Sequence, residues 1–245
     1  MITNVEVTRR TLLKFIKNKD FVNNVFNSVF KKYDLMNDIM SFGIHRLWKE
    51  NLIDWLQPKL NSKLIDMAAG TGDITKIYIE RTKFTGHATL VDQNVEMLNE
   101  SKKKVGHYKN INFLCASAEL VPLENSSFDY YIISFGIRNV TDIKKTLKEA
   151  YRLLKPGGRF MCLEFSKINN EIIDKFYSVY SNLIPHIGKL VAGDKKPYEY
   201  LIQSIRDFYN QEQLLDLMKE ARFINNEYRN LTTGVAAIHS GWKKK

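Results

Sequence analysis

The sequence predicts an α/β fold, a largely parallel sheet with helices on both faces. Three observations predict it. Apolar runs of strand length alternate along the chain with longer stretches of helical periodicity. One such run, Leu64-Ile65, ends in Asp66 and a turn carrying Gly70 and Gly72, and a helix opens at about Asp73. That order of strand, glycine turn and helix brings backbone N–H groups close to a nucleotide-like ligand. Another run, Tyr130-Tyr131-Ile132-Ile133, is apolar throughout, as a central strand buried on both faces requires.

Taken in order, residues 1–20 are basic, with Glu6 and Asp20 as their only acids. They read as a surface arm or helix, with a short mitochondrial presequence as the alternative. Residues 21–56 carry helical spacing: Phe21, Val22, Val25, Phe26, Val29 and Phe30, then Trp48, Leu52, Ile53 and Leu56, with Pro58 as the stop. Between these sets, residues 33–48 interleave Asp34, Asn37, Ser41, His45 and Arg46 with Tyr33, Met36, Phe42 and Trp48. A segment of that kind ahead of a nucleotide fold forms either a lid or an ordinary packing helix. Beyond the glycine turn, residues 74–79 form a helix and 87–91 a strand that ends at Asp92. Asp92 follows the turn by about 20 residues, the offset of a carboxylate that accepts two ribose hydroxyls. It also suits the N-cap of a helix from Val95 onward.

Residues 112–116 form the third strand, followed by Ser117, Ala118 and Glu119. Ser117 and the Ala118 backbone are placed to bond an adenine amino group, or to make a plain turn. After the fourth strand (130–134) comes the loop Phe135-Gly136-Ile137-Arg138-Asn139-Val140. Ligands of open α/β sheets bind at the carboxyl ends of the strands. Arg138 there suits a phenolate or carboxylate and Asn139 a hydroxyl; the competing reading of Arg138 is a surface ion pair. A helix over 142–154, a turn at Lys155-Pro156-Gly157-Gly158 and a fifth strand over 159–165 follow. Residues 167–209 are a helical insertion, apolar and aromatic beyond one helix face, with Pro185 and Gly188 breaking it. A helix over 211–222 and an antiparallel hairpin (223–230 with 235–240) close the chain. The strands number seven, in a single domain over 1–245 with a helical lid over 1–57.

Composition narrows the classes. The chain has 245 residues, 44% apolar and 26% charged, enough for one sizeable core. No apolar run approaches the ~18 residues that span a bilayer. Cys115 and Cys162 each fall inside a predicted strand, which predicts two buried, reduced core thiols. No C-x-x-C or His/Cys cluster suggests a metal. The net charge is +10, but the basic residues are dispersed and dense only at residues 102–104 and 243–245. Solvated faces account for that better than a nucleic-acid or anionic-membrane surface.

Two longer patterns carry a family resemblance. The D-x-x-x-G-x-G spacing from Asp66 to Gly72 resembles the first motif of Rossmann-like, S-adenosylmethionine-dependent (class I) methyltransferases. The pattern Y-D-x-M-N-x-x-M-S-x-x-x-H-x-x-W over residues 33–48 resembles a signature of the quinone-biosynthesis C-methyltransferases, bacterial and mitochondrial. R-L-L-K-P-G-G-R-F-M-C-L-E-F-S over 152–166 resembles their second signature, with Leu153 where valine is usual. The resemblance covers about Val22 to Trp242. It implies a seven-stranded class I methyltransferase sheet with S-adenosyl-L-methionine at Asp66, Gly70, Thr71, Gly72, Asp92, Ser117, Ala118 and Ser134. Many relatives carry Asn where this chain has Ser117.

The implied reaction is ring C-methylation of 2-methoxy-6-polyprenyl-1,4-benzoquinol in ubiquinone biosynthesis, and also of demethylmenaquinol. The insertion would then offer the polyprenyl tail a greasy passage, or serve as core and oligomer contact. The implied catalytic set is Arg138 and Asn139 on the quinol oxygens, with Tyr33, Asp34, Asn37 and His45 from the lid. A membrane-resident substrate implies peripheral contact with the inner membrane, from the cytoplasm or, alternatively, the mitochondrial matrix. A homodimer or a quinone-biosynthesis complex fits the same reading, and nucleic acid does not. The alternatives are an RNA methyltransferase and a non-catalytic assembly subunit. The first lacks an N/D-P-P-Y motif after strand four and a catalytic cysteine pair; the intact glycine turn and Asp92 argue against the second.

Overall fold

The computed structural model describes residues 37, 38, 41, 43–168 and 196–245. Tyr33, Asp34, the basic arm, most of the expected lid and residues 169–195 of the insertion lie outside the described residues. The described elements are α1 (His45–Leu56), β1 (Lys63–Met67), α2 (Asp73–Arg81), β2 (His87–Asp92), α3 (Val95–Val105), β3 (Ile111–Cys115) and β4 (Phe128–Ser134). A 3₁₀ turn (Ile137–Asn139), α4 (Ile143–Leu153), β5 (Leu154–Phe165), α5 (Lys196–Asp207), α6 (Gln211–Glu220), β6 (Ile224–Leu231) and β7 (Ala236–Trp242) follow. One seven-stranded sheet has the order β3-β2-β1-β4-β5-β7-β6. All its pairs are parallel except those of β7, which runs antiparallel to both β5 and β6.

Alternate residues of the inner strands feed two separate cores. Leu64, Tyr130, Ile132, Met161 and Leu163 join Trp48, Leu52 and Ile53 of α1 and Tyr198 and Leu201 of α5 on one face. Ile65, Tyr131, Ile133, Phe160 and Cys162 join Leu147 of α4 and Leu214 and Met218 of α6 on the other. That two-sided burial is why the inner strands read as continuous apolar runs. α1 is part of this core: all of Trp48, Leu52, Ile53 and Leu56 are buried. The Trp48 indole N–H also donates to Thr232 Oγ1 at 3.0 Å.

Three expectations are corrected. Cys115 is exposed while Cys162 is buried. β3 is an edge strand, flanked only by β2, so its last residue faces solvent instead of a second helix layer. β5 starts at Leu154, paired to Phe128, and pairing resumes with Arg159 opposite Tyr130. The turn at residues 155–158 is therefore a loop-out within one strand, with Gly157 at φ +76. Asp92 does not cap α3; Asn94 does, accepting from Met97 N at 3.0 Å.

Candidate active site

A cleft with ≈ 630 Å³ of empty space, part of it open to solvent, lies at the carboxyl ends of the parallel strands. Its walls come from the residues that follow each strand: Ala68 and Gly70 after β1, Gln93 and Asn94 after β2, Ala116 and Ala118 after β3, Phe135, Gly136 and Asn139 after β4. This is the crevice where the reversal of strand order parts the loops. A smaller cavity of ≈ 340 Å³ shares Ala68, Gly70 and Phe135 with it and adds Asn37, Lys49, Asp66, Thr71, Asp73 and Ser134.

The floor shared by the two cavities is tightly built. Ala68 and Phe135 both take left-handed backbone, at φ 52 and φ 53, a conformation that costs a non-glycine residue energy and clusters at functional sites. A Cβ on Gly136 would lie 2.5 Å from the Ala68 Cβ, so only glycine lets the loops after β1 and β4 meet. Gly72, expected to admit a ligand, serves packing as well. It has φ +84, and a Cβ there would press within 3.2 Å of Ser101 Cβ and 3.3 Å of Leu90. That glycine lets α3 lie close under the turn.

Asp92 sits where a ribose acid should. Gly70 N donates to its Oδ2 at 3.0 Å and Asn94 N to its Oδ1 at 2.9 Å. Burial pushes its carboxyl upward, and those backbone N–H groups oppose the shift. Each oxygen keeps a lone pair for a further donor.

Asp66, buried at the end of β1, accepts from Thr75 N at 3.2 Å and Thr75 Oγ1 at 2.7 Å, both on Oδ2. Burial pushes its pKa up to about 7 from 3.8. Thr71 Oγ1 accepts from Lys104 Nζ at 3.1 Å. Ser134 Oγ and Asn37 Nδ2 are buried with no hydrogen-bond partner.

The Asp66 shift has a measurable consequence. Between about pH 4 and pH 7 the folded protein holds a proton that the unfolded chain has released, so folding takes up a proton and stability falls as pH rises. Asp66→Asn removes that term, and its amide oxygen still accepts from Thr75. Urea unfolding of the ligand-free variant should show a flatter pH profile over that window and a relative gain at pH 8. Profiles of equal slope would refute the shift.

Other expected residues are placed differently. Ser117 Oγ donates to the Glu119 carboxylate and does not line the cleft; Ala118 and Glu119 do. Glu119 in turn accepts from Thr141 N at 2.7 Å. The Ser117 hydroxyl is thus engaged by Glu119 in this structure, and Ala118 and Glu119 form the wall beside it.

Arg138 presents no free guanidinium to the cleft. Its Nη1 donates to Glu164 Oε1 at 2.5 Å and to the Phe135 carbonyl at 2.7 Å, with side chains 2% and 1% exposed. Burial raises the Glu164 carboxyl pKa against the pull of that guanidinium. The expected surface ion pair is a buried one. Arg138 Nε has no partner.

Asn139 does line the cleft, and its Oδ1 accepts from Tyr200 Oη of α5 at 2.9 Å. Burial pushes the Tyr200 phenol up to about 12, which keeps it a donor. His45 lies away from both cavities. Its Nε2 is 2.9 Å from Asp38 Oδ1, and burial, then the nearby Lys49 charge, lowers its pKa.

Of the residues that sequence reasoning missed, Asn94 and Met97 had a signal, since they follow the β2 acid. Glu164 and Tyr200 fall in stretches that carry the family resemblance, but their partners did not show there, and Lys49 had no signal, because these contacts join segments far apart along the chain.

The donor set suits a nucleoside carrying a charged tail, the shape of the cofactor expected from the resemblance. Asp92 offers acceptors at one wall, and Met97, Ala116, Ala118 and Val140 make an apolar one. The adjoining cavity is polar and holds two unpartnered buried groups.

Comparison with known proteins agrees. The family model described as the ubiE/COQ5 methyltransferase family matches residues 14–243. The chain is 49% identical over 238 residues to the ubiquinone/menaquinone biosynthesis C-methyltransferase UbiE of Rickettsia bellii, covering 94% of this chain and 96% of the relative. It is 48% identical over 226 residues to the protein of that name from Ruegeria sp., covering 91% and 90%. Among solved structures, a SAM-dependent methyltransferase from Thermotoga maritima superposes with a TM-score of 0.65 at 20% identity, over 91% of this chain and all (100%) of the other. At that identity the likeness speaks for the fold alone.

Proposed function

The chain belongs to the ubiE/COQ5 methyltransferase family, and from that premise we propose how it works as an S-adenosylmethionine-dependent C-methyltransferase of ubiquinone/menaquinone biosynthesis. The observation that carries the site assignment is a single cleft in which Gly70, Asn94, Ala118 and Asn139 face one space beside Asp92. Asp92 takes the ribose diol, Ala116, Ala118 and Met97 border the adenine, and Gly70, Thr71, Asp66 and Ser134 enclose the methionyl part.

S-adenosylmethionine supplies the methyl group on an electrophilic sulfonium. The protein's own task is to hold an electron-rich ring carbon in line with that methyl, at about 3–3.5 Å, and to assist loss of the phenol proton. Asn139 grips a quinol oxygen. The Tyr200 hydroxyl fixes which end of its amide is the acceptor, and Nδ2, which donates one N–H to the Phe135 carbonyl at 3.4 Å, keeps the other for the ring. Arg138 stands behind it, clamped by Glu164, and its positive charge favours a phenolate as it forms. Arginine is a poor base, so Arg138 acts through its charge and does not itself take the proton. Of the other candidates for contact with the quinol, Asn37 lines the smaller cavity, His45 pairs with Asp38 away from both cavities, and Tyr33 and Asp34 lie outside the described residues.

We take the benzoquinol of ubiquinone synthesis as the principal substrate and demethylmenaquinol as the second. The two stretches that resemble ubiquinone-pathway relatives are Leu163-Glu164-Phe165-Ser166 and Tyr198-Glu199-Tyr200-Leu201. They supply Glu164 to Arg138 and Tyr200 to Asn139. Both stretches thus bear directly on the groups proposed to hold the ring.

Among the described residues no helix is long and apolar enough to cross a membrane. Access to a membrane-resident tail then needs peripheral contact. Leu120 and Val95 are 77% and 55% exposed, each following a cleft residue, and a +10 net charge favours anionic lipid.

The test is methyl transfer from labelled S-adenosylmethionine under reducing conditions, with the two demethyl quinols offered separately. Label on the benzoquinol ring, alone or with weaker label on the naphthoquinol, is the expected result. Label on the naphthoquinol alone would reverse the substrate preference. Label on neither, with cofactor still bound, would overturn the quinol assignment and direct the search to RNA.

A further inference from the structure

Lys49 stands outside the recognised motifs and lies on α1, well before the glycine turn. It is 6% exposed and lines the smaller cavity. Its Nζ donates to Asp73 Oδ2 at 2.7 Å. An ammonium has three N–H groups, and that bond uses one of them. Asp73 is also shared: its other oxygen accepts from Lys104 Nζ at 2.6 Å. Burial alone would raise the Asp73 carboxyl, but the two ammonium groups hold it well below the usual carboxylate range. One carboxylate therefore serves two cations, and a buried cation with spare donors favours a further anion.

The same cavity wall holds Asn37 Nδ2, a buried donor with no partner, and Ser134 Oγ, also without one. It also holds Asp66, whose hydrogen bonds both fall on Oδ2. A cation and an orphan amide donor beside a carboxylate match an α-amino acid zwitterion, which needs donors for its carboxylate and an acceptor for its ammonium. The cavity shares Ala68, Gly70 and Phe135 with the nucleoside cleft, so the two adjoin.

We propose that Lys49, with Asn37, binds the α-carboxylate of the methionyl part of S-adenosylmethionine. This rests on the cofactor reading above and adds to it. One consequence is a coupling of α1 to the cofactor, because the helix that leads in from the expected lid carries a ligand for it.

The test compares calorimetric affinities of wild type and Lys49→Met for S-adenosylmethionine and for its decarboxylated form, which lacks only the carboxylate. Losing a charge-assisted bond should weaken the complete cofactor by about 10- to 100-fold, change the decarboxylated form by less than about threefold, and leave Lys49→Arg close to wild type. Equal losses for both ligands, or no loss, would reduce Lys49 to a tie between α1 and α2 and overturn the proposal alone. Wild type binding neither ligand would overturn the cofactor reading and this proposal with it. Should Lys49→Met not fold by circular dichroism, Lys49→Gln carries the same comparison. Wild type binding the two ligands equally well overturns the proposal without any variant.

Discussion

Glu164→Ala should unfold with about 3–5 kcal/mol less stability than wild type, because it strands a buried guanidinium whose partner is gone. Arg138 and Glu164 side chains are 2% and 1% exposed and 2.5 Å apart, so water cannot replace the missing carboxylate. The loss extends beyond one ion pair. Glu164 Oε1 also accepts from Phe165 N at 2.9 Å, and Oε2 lies 3.4 Å from Arg138 N, so three donors lose their acceptor together. For a chain of this size the Tm should fall by about 6–20 °C.

The double variant Arg138→Met/Glu164→Leu separates the two contributions. Exchanging both charges for apolar groups of similar bulk removes the unpaired charge, and much of the stability should return. Methyl transfer should not return with it, since the positive charge behind Asn139 is gone. Urea unfolding of both proteins decides the matter. A single variant within about 1 kcal/mol of wild type would show that the pair is not desolvated as the structure places it.

Asp92→Ala should weaken S-adenosylhomocysteine binding by about 100-fold or more, from loss of two charge-assisted bonds to the ribose at about 1.5–3 kcal/mol each. The truncation also frees Gly70 N and Asn94 N, the two groups that Asp92 ties to the wall of the cleft. Asp92→Asn is the more informative partner. Its carboxamide must aim an NH₂ at either the Gly70 N–H or the Asn94 N–H, so it keeps the volume and loses one anchor. An intermediate Kd is expected for Asn, measured by calorimetry with the product cofactor. Affinities for Asp92→Ala within a few-fold of wild type would place the ribose elsewhere.

Much of the fold was legible because it follows from local rules. The glycine turn, the acid that ends β2, the helix over 211–220 and the closing hairpin each announce themselves in a short window. Continuous apolar strands announced a sheet covered on both faces, and Leu64 and Ile65 do enter opposite cores. Where local signals misled, a distant neighbour decided. Cys115 sits in a strand as expected, but exposure depends on whether that strand has a neighbour on each side, and β3 has one.

What the sequence by itself determined about this protein is the order of its elements, the glycine turn with its two acids, and through whole-length patterns its family. What only the tertiary structure decided is how the charged groups are partnered. Arg138 meets Glu164 across 26 positions of chain, Lys49 meets Asp73 across 24, and Asn139 meets Tyr200 across 61. The reason is physical. Backbone propensity and hydrophobic periodicity act over a turn or a strand and can be read in a short window. The role of a charge depends on desolvation and on what lies within a few ångströms, which the packing of separate segments sets.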